Sequence, residues 1–189
     1  SSVVCVPSSV KAGETVTCNV KIAAEEDKQP ISEPSLVHAL TVSVINGGDH
    51  VVTSAPIHVA ASKQYTFSFR PTKGGLDRQA AVTVQYGSNG IILGDFTASP
   101  KIKVSAGAVS EKTSSVICRR DATEAGVAFD QCFLRMKDVF GNVAGDKAAS
   151  DNFNVRASMG DVRTDATLKW LHGDAVAERT EADDASATF

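Results

Sequence analysis

The sequence predicts an all-β protein: two tandem immunoglobulin-like β-sandwich modules, the second lacking its last strands. Three observations carry this. The segment Ser1 to Ile22, SSVVCVPSSVKAGETVTCNVKI, returns in altered form as Ser114 to Lys137, SSVICRRDATEAGVAFDQCFLRMK. Apolar and polar residues alternate in short runs, the period of half-buried strands, and no stretch of any length keeps a helical period. Turn chemistry separates the runs, giving about seven short strands in the first module, the count of an immunoglobulin-type sandwich.

The elements of the first module, residues 1–107, follow in order. Val3 and Cys5 point one way in an extended strand that Pro7 closes. Lys11-Ala-Gly-Glu14 has turn character. Val16, Cys18, Val20 and Ile22 alternate with Thr15, Thr17, Asn19 and Lys21, so this strand buries one face. Folding the hairpin about Gly13 brings Cys5 opposite Cys18. Residues 23–35 are polar and contain proline, and read as a loop. Leu36 to Ile45 alternates again, with Leu40, Val42 and Val44 toward the core. Asn46-Gly-Gly-Asp49 is a hairpin signal. Val51 to Ala60 is extended but interrupted by Pro56, which points to an edge strand or two short pieces. Tyr65, Phe67 and Phe69 share a face, Pro71 to Gly75 turns the chain, and Ala81 to Tyr86 and Ile91 to Val104 supply the last strands.

Several of these residues resemble a filamin-type immunoglobulin repeat. Tyr65-Thr-Phe-Ser-Phe-Arg-Pro-Thr-Lys-Gly-Gly75 is similar to that family's aromatic-x-Pro-x-x-x-Gly turn, and Thr97-Ala-Ser-Pro-Lys-Ile-Lys-Val104 to its closing strand. Lys137-Asp-Val-Phe-Gly-Asn142 resembles its Asp-x-x-Gly-Asn loop, which bacterial invasin-like modules share. The resemblance implies a spacer and docking module, with a partner peptide adding a strand in a groove beside the third and fourth strands. On this chain the groove falls on Leu40, Val42, Val44, Val51, Ile57 and Val59. The plainer alternative is that these residues only fill the core.

The second module is expected over residues 108–189, after a short linker, Ser105 to Thr113. Its cysteine-bearing segment is followed by the Phe140-Gly-Asn loop, a strand carrying Phe153, Val155 and Ala157, and another over Ala166 to Leu171. Trp170 reads as a core anchor. Ala187-Thr-Phe189 aligns with Tyr65-Thr-Phe67, so the last two strands of the sandwich are missing. The expectation is that the chain stops short of the natural boundary, with completion by a partner strand as the alternative.

Composition narrows the function classes. Hydrophobic residues make up 42% and charged residues 22%, ordinary values for a globular chain. The net charge of −3 argues against a nucleic-acid partner. The excess acid sits in the second module, where Glu178, Glu181, Asp183 and Asp184 read as a solvated loop rather than a metal site. No run is long and apolar enough to cross a membrane as a helix, so membrane insertion is not expected. Histidines 38, 50, 58 and 172 lack metal-ligand spacing, and no nucleophile, phosphate-loop or zinc-protease motif occurs. The expectation is a protein that is not an enzyme and needs no cofactor.

The four cysteines decide the compartment. Cys5 with Cys18, and Cys118 with Cys132, recur as pairs with none left over. Two intradomain disulfides in an oxidising compartment are one reading, and reduced pairs packed as small hydrophobes are the other. The first gives an extracellular or cell-surface adhesion module. The second gives an intracellular cytoskeletal scaffold of filamin type. Either would act through a protein partner, by strand addition or module stacking, as a monomer or in weak self-association. A carbohydrate-binding module would need an exposed platform from Tyr65, Tyr86 or Trp170.

Overall fold

The structure, a computed structural model, describes residues 1–23, 29–88, 91–95, 100–118, 132–159, 162–165, 167–169 and 185–188. The chain is all-β in its main elements and divides into two units, Ser1–Ser105 and Ala106–Phe189.

In the first unit, alternating apolar residues build β1 (Ser2–Val6), β2 (Ser9–Lys11), β3 (Val16–Ala23), β4 (Pro30–Ile31), β5 (Leu40–Asn46), β6 (Asp49–His50), β7 (Ile57–Val59), β8 (Gln64–Phe69), β9 (Gln79–Ser88), β10 (Ile91–Asp95) and β11 (Lys101–Ser105). One sheet has the order β1-β3-β8-β7, with β4 also on β3. The other has the order β2-β11-β9-β5-β6, with β10 also on β9. Val3, Cys5, Val16, Cys18, Val20, Tyr65, Phe67 and Phe69 of the first sheet share one core with Val10, Leu40, Val44, Ala80, Val82, Val84, Ile102 and Val104 of the second. Val16, Cys18, Val20, Tyr65, Ala80, Val82 and Val104 have no exposed surface at all, as close packing of two facing sheets requires.

Two departures from the sequence reading have clear physical causes. The segment between the two cysteine strands is not a plain hairpin. After Pro7, which has no N–H to continue the ladder, residues Ser9–Lys11 cross to the second sheet and pair parallel with β11, burying Val10. The chain then turns at Gly13 and returns as β3. Leu36 to Ala39 are not strand either. Pro34 at the first helical position starts a 3-10 helix, Pro34–Ala39, and β5 begins only at Leu40.

Asn46 and Asp49 close the β5–β6 hairpin through Gly47 and Gly48, both at positive φ (61° and 91°), which the two-residue hairpin turn demands. Val51 to Ala60 forms two short pieces: an isolated bridge from Thr53 to Phe69, and β7.

The second unit contains β12 (Ser115–Cys118), β13 (Cys132–Arg135), a helical turn over Lys147–Ser150, β14 (Arg156–Met159), β15 (Val162–Asp165), β16 (Thr167–Lys169) and β17 (Ala185–Thr188). Its four-stranded sheet runs β12-β13-β17-β16, the same succession of first, second, last and next-to-last strand as β1-β3-β8-β7. β14 and β15 pair as a separate hairpin. Cys132 faces Ala187, whereas Cys18 faces Phe67. Ala187 therefore takes the place of Phe67 rather than Tyr65, a shift of two residues that keeps the same face.

The stretch read as a linker is bound into this unit. Ser110 N–H donates to Lys137 O (2.8 Å), Thr113 Oγ1 to Asp138 O (2.7 Å) and Ser114 Oγ to Ser110 O (2.7 Å). Trp170 and the acidic cluster at 178–184 lie outside the described residues.

Candidate functional site

The six residues of the expected partner groove separate onto two sheets. Leu40 and Val44 of β5 are buried in the core, and Val42 packs half-buried against it, as does Val51. Ile57 and Val59 belong to β7 in the opposite sheet. Ile57 faces Thr66, Thr66 faces Asn19, and Asn19 faces Val4. Cross-strand partners share a face, so this row lies on the outer side of the sheet, and Ile57 is 60% exposed there. Val59, two residues on, shares that side. One continuous lining from β5 to β7 is thus not formed.

The reason is the crossing segment between them. Val51 N–H donates to Val44 O (2.9 Å) at the edge of β5, and Ser54 N–H donates to Ser68 O (2.8 Å) at the edge of β8. The chain leaves one sheet and joins the other within a few residues. A shallow cleft of about 620 Å³ follows this crossing, lined by Asn46, Val51, Val52, Phe69, Arg70 and Lys73. Val52, at its rim, is 90% exposed.

What remains open of β5 is short. One edge is paired with β9 from Leu40 to Asn46. The other is occupied by β6 at Ile45 and Asn46 and by Val51 at Val44. Leu40 N–H is used by Val37 O. Val44 O points to this second edge, so the N–H and C=O of Val42, two residues earlier, point there too. Val42 is the centre of the open portion. Among the described residues β7 ends its own sheet and no strand pairs its outer edge.

Two buried side chains with polar ends, Asn46 and Tyr65, frame this flank. Asn46, 1% exposed, accepts from Lys73 N–H at Oδ1 (2.7 Å) and donates from Nδ2 to Lys73 O (2.9 Å) and Gln79 O (3.4 Å). It pins the Pro71–Arg78 turn as a ladder residue would. Tyr65 OH donates to Glu33 O (2.9 Å) and accepts from Glu33 N–H (3.0 Å), so its ring is core and its hydroxyl anchors the start of the 3-10 helix. In the sequence Asn46 shows only as the start of a Gly-Gly turn. Tyr65 is no sugar platform, since it has no exposed surface, and Tyr86 packs half-buried on the core.

The cysteines meet as the repeat implied in the first unit. Cys5 and Cys18 face each other on β1 and β3 and form a disulfide, with Cα atoms 4.0 Å apart. In the second unit the backbone register sets Cys118 directly opposite Cys132. Their side chains lie outside the described residues.

The Asp-x-x-Gly-Asn loop is built around Asp138, which is fully buried. Its Oδ1 accepts from the N–H groups of Phe140 and Asn142 (both 2.9 Å), and its Oδ2 from Gly107 N–H and Asn142 Nδ2 (both 2.8 Å). A carboxylate offers acceptors only, and here each oxygen meets two donors. The arrangement closes the loop and ties down residue 107, leaving no capacity for a ligand.

His38 lies in the last turn of the 3-10 helix, His50 on β6, and His58 on β7, where its Nε2 is 2.8 Å from Ser32 Oγ. Among the described residues no three His, Cys, Asp or Glu side chains gather as a metal would require. His172 lies outside them. Compared with known proteins, the chain matches no family model, and no curated protein is significantly similar to it.

Proposed function

We propose that the chain is a pair of immunoglobulin-like modules from an extracellular or cell-surface protein, acting in adhesion or structure without catalysis, and docking protein partners at its sheet edges. The observation that carries this reading is the strand order. The sheets β1-β3-β8-β7 and β2-β11-β9-β5-β6 correspond to the two sheets of an immunoglobulin sandwich, with the first strand split between them. The repeated succession β12-β13-β17-β16 supports a second module of the same kind. The filamin resemblance rests on its quoted motifs.

The Cys5–Cys18 disulfide supports the compartment in this reading. Such bonds persist in oxidising surroundings and are rare where glutathione keeps thiols reduced. This favours the surface reading over the cytoskeletal one. Partner strands would enter at Val42 of β5 or along β7, where main-chain groups are open and Ile57 offers an apolar contact.

Labelling unbroken source cells with a membrane-impermeant amine reagent tests the assignment. Modification of this protein before lysis supports it. Protection until lysis overturns it in favour of the intracellular scaffold.

A further inference from the structure

The outer edge of β1, like the short open stretch of β5 at Val42, carries no charged residue and no proline. By contrast β2 carries Lys11, β4 carries Pro30 and β6 carries Asp49. Charged or proline-bearing edges resist pairing with another chain. β1, Ser-Val-Val-Cys-Val, has no ionisable side chain free to titrate and no proline within it. Among the described residues no strand pairs its outer edge. Val4 and Val6, 57% and 58% exposed, stand on the outer face of the sheet at this edge.

The directions of the main-chain groups are fixed by the disulfide pair. A Cα separation of 4.0 Å between Cys5 and Cys18 belongs to the closely spaced, non-hydrogen-bonded kind of antiparallel pair (about 4.5 Å), not the hydrogen-bonded kind (about 5.5 Å). The N–H and C=O of Cys5 therefore point away from β3. Those of Val3, two residues earlier, do the same. The bond from Ala23 N–H to Ser1 Oγ agrees, because it shows the odd-numbered residues of β3 turning toward β1. The open edge thus presents donors and acceptors at Val3 and Cys5.

We infer that β1 pairs antiparallel with β1 of a second copy, about a two-fold axis through Val4. Val3 then exchanges both N–H···O bonds with Cys5 of the second copy, and Cys5 does the same with Val3 of the second copy. Val4 meets Val4 as the close, non-hydrogen-bonded pair on the outer face, and Ser2 meets Val6. This register overlaps all of Ser2–Val6 and ends where Pro7 has no N–H to give. The strand is its own complement in hydrogen bonds, in apolar contact and in the absence of like charge. Such an isologous contact closes as a dimer. It uses a different edge from the partner docking at β5, and stands or falls separately.

Sedimentation equilibrium of the whole chain tests this, with V4K and V4E compared singly and mixed. Wild type is expected to dimerise at concentrations up to about 300 µM, the range of weak specific association. V4K and V4E should each weaken the dimer about tenfold or more, since like charges would face each other at the axis. An equimolar mixture should restore a heterodimer, which also shows that both variants are folded. V42P, acting at β5, should leave the dimer unchanged. Wild type that stays monomeric, variants that dimerise as wild type does, or a mixture that fails to associate would each overturn the pairing.

Discussion

Asn46 is bonded to Lys73 in both directions, Lys73 N–H to Asn46 Oδ1 at 2.7 Å and Asn46 Nδ2 to Lys73 O at 2.9 Å. The side chain stands in for one residue of a strand and joins the end of β5 to the turn that leads into β9. Asn46→Ala should therefore leave the partly buried N–H and C=O of Lys73 without their protein partner, at about 1–3 kcal/mol each. Urea unfolding of the first unit should show a loss of about 2–4 kcal/mol, with amide exchange rising first in residues 71–78.

Asp138 makes a second test of buried polar order. Asp138→Ala removes an acceptor from four donors, three of them backbone N–H groups. A loss of about 3 kcal/mol or more is expected in the unfolding of the second unit, since four neutral donors lose their acceptor together and each unpaired one costs about 1–3 kcal/mol. Asp138→Asn keeps the size but turns one acceptor into a donor facing donors, so it should rescue little. Chemical denaturation followed by backbone NMR of residues 107 and 140–142 checks both.

Gly145 has a φ of 87°, and a Cβ there would lie 2.7 Å from Val109 Cγ2 and 3.1 Å from Met136 Cε. Met136 belongs to the small core of the second unit and Val109 packs against it, so making room for the Cβ disturbs that packing. Gly145→Ala is expected to cost about 2 kcal/mol or more, from the left-handed backbone and the overlap together. The same change at Gly48, where nothing lies within 4 Å, meets only the backbone term and should cost less. Thermal melts of the two variants side by side measure the difference.

Val42→Pro addresses docking. The N–H of Val42 faces the open edge of β5, so proline there spares the ladder to β9 and removes the donor an added strand needs. Affinity for a partner that augments β5 should fall about tenfold, as the loss of one main-chain bond implies. A partner unaffected by V42P docks elsewhere.

The strands were legible wherever alternation was strict, because one buried face per strand leaves a period that side chains must obey. Val16 to Ile22 and Tyr65 to Phe69 show this most plainly, and the cysteine repeat agrees with the register that sets Cys118 opposite Cys132. Long-range choices were not legible. Nothing local in Ser9–Lys11 says that its partner is β11, 94 residues away in the chain, and a single Pro34 was enough to turn apparent strand into 3-10 helix. The groove residues illustrate the same limit. Leu40 and Val44 read correctly as core, but whether Ile57 lay beside them depended on a crossing between sheets that hydrophobic pattern does not encode. Asn46 and Asp138 were visible as turn residues, and their burial came only from what folds over them.

The cysteine chemistry is where compartment, stability and module identity meet. Opening the Cys5–Cys18 bond, by Cys5→Ala with Cys18→Ala, should cost the first unit about 3 kcal/mol in the chain-entropy view. The most direct measurement is a thiol count on native protein, alkylated under denaturing, non-reducing conditions and mapped by peptide mass. Cys5 joined to Cys18, Cys118 joined to Cys132 and no free thiol is the expected result. Free thiols at all four cysteines would contradict a pair of disulfide-stapled modules from an oxidising compartment.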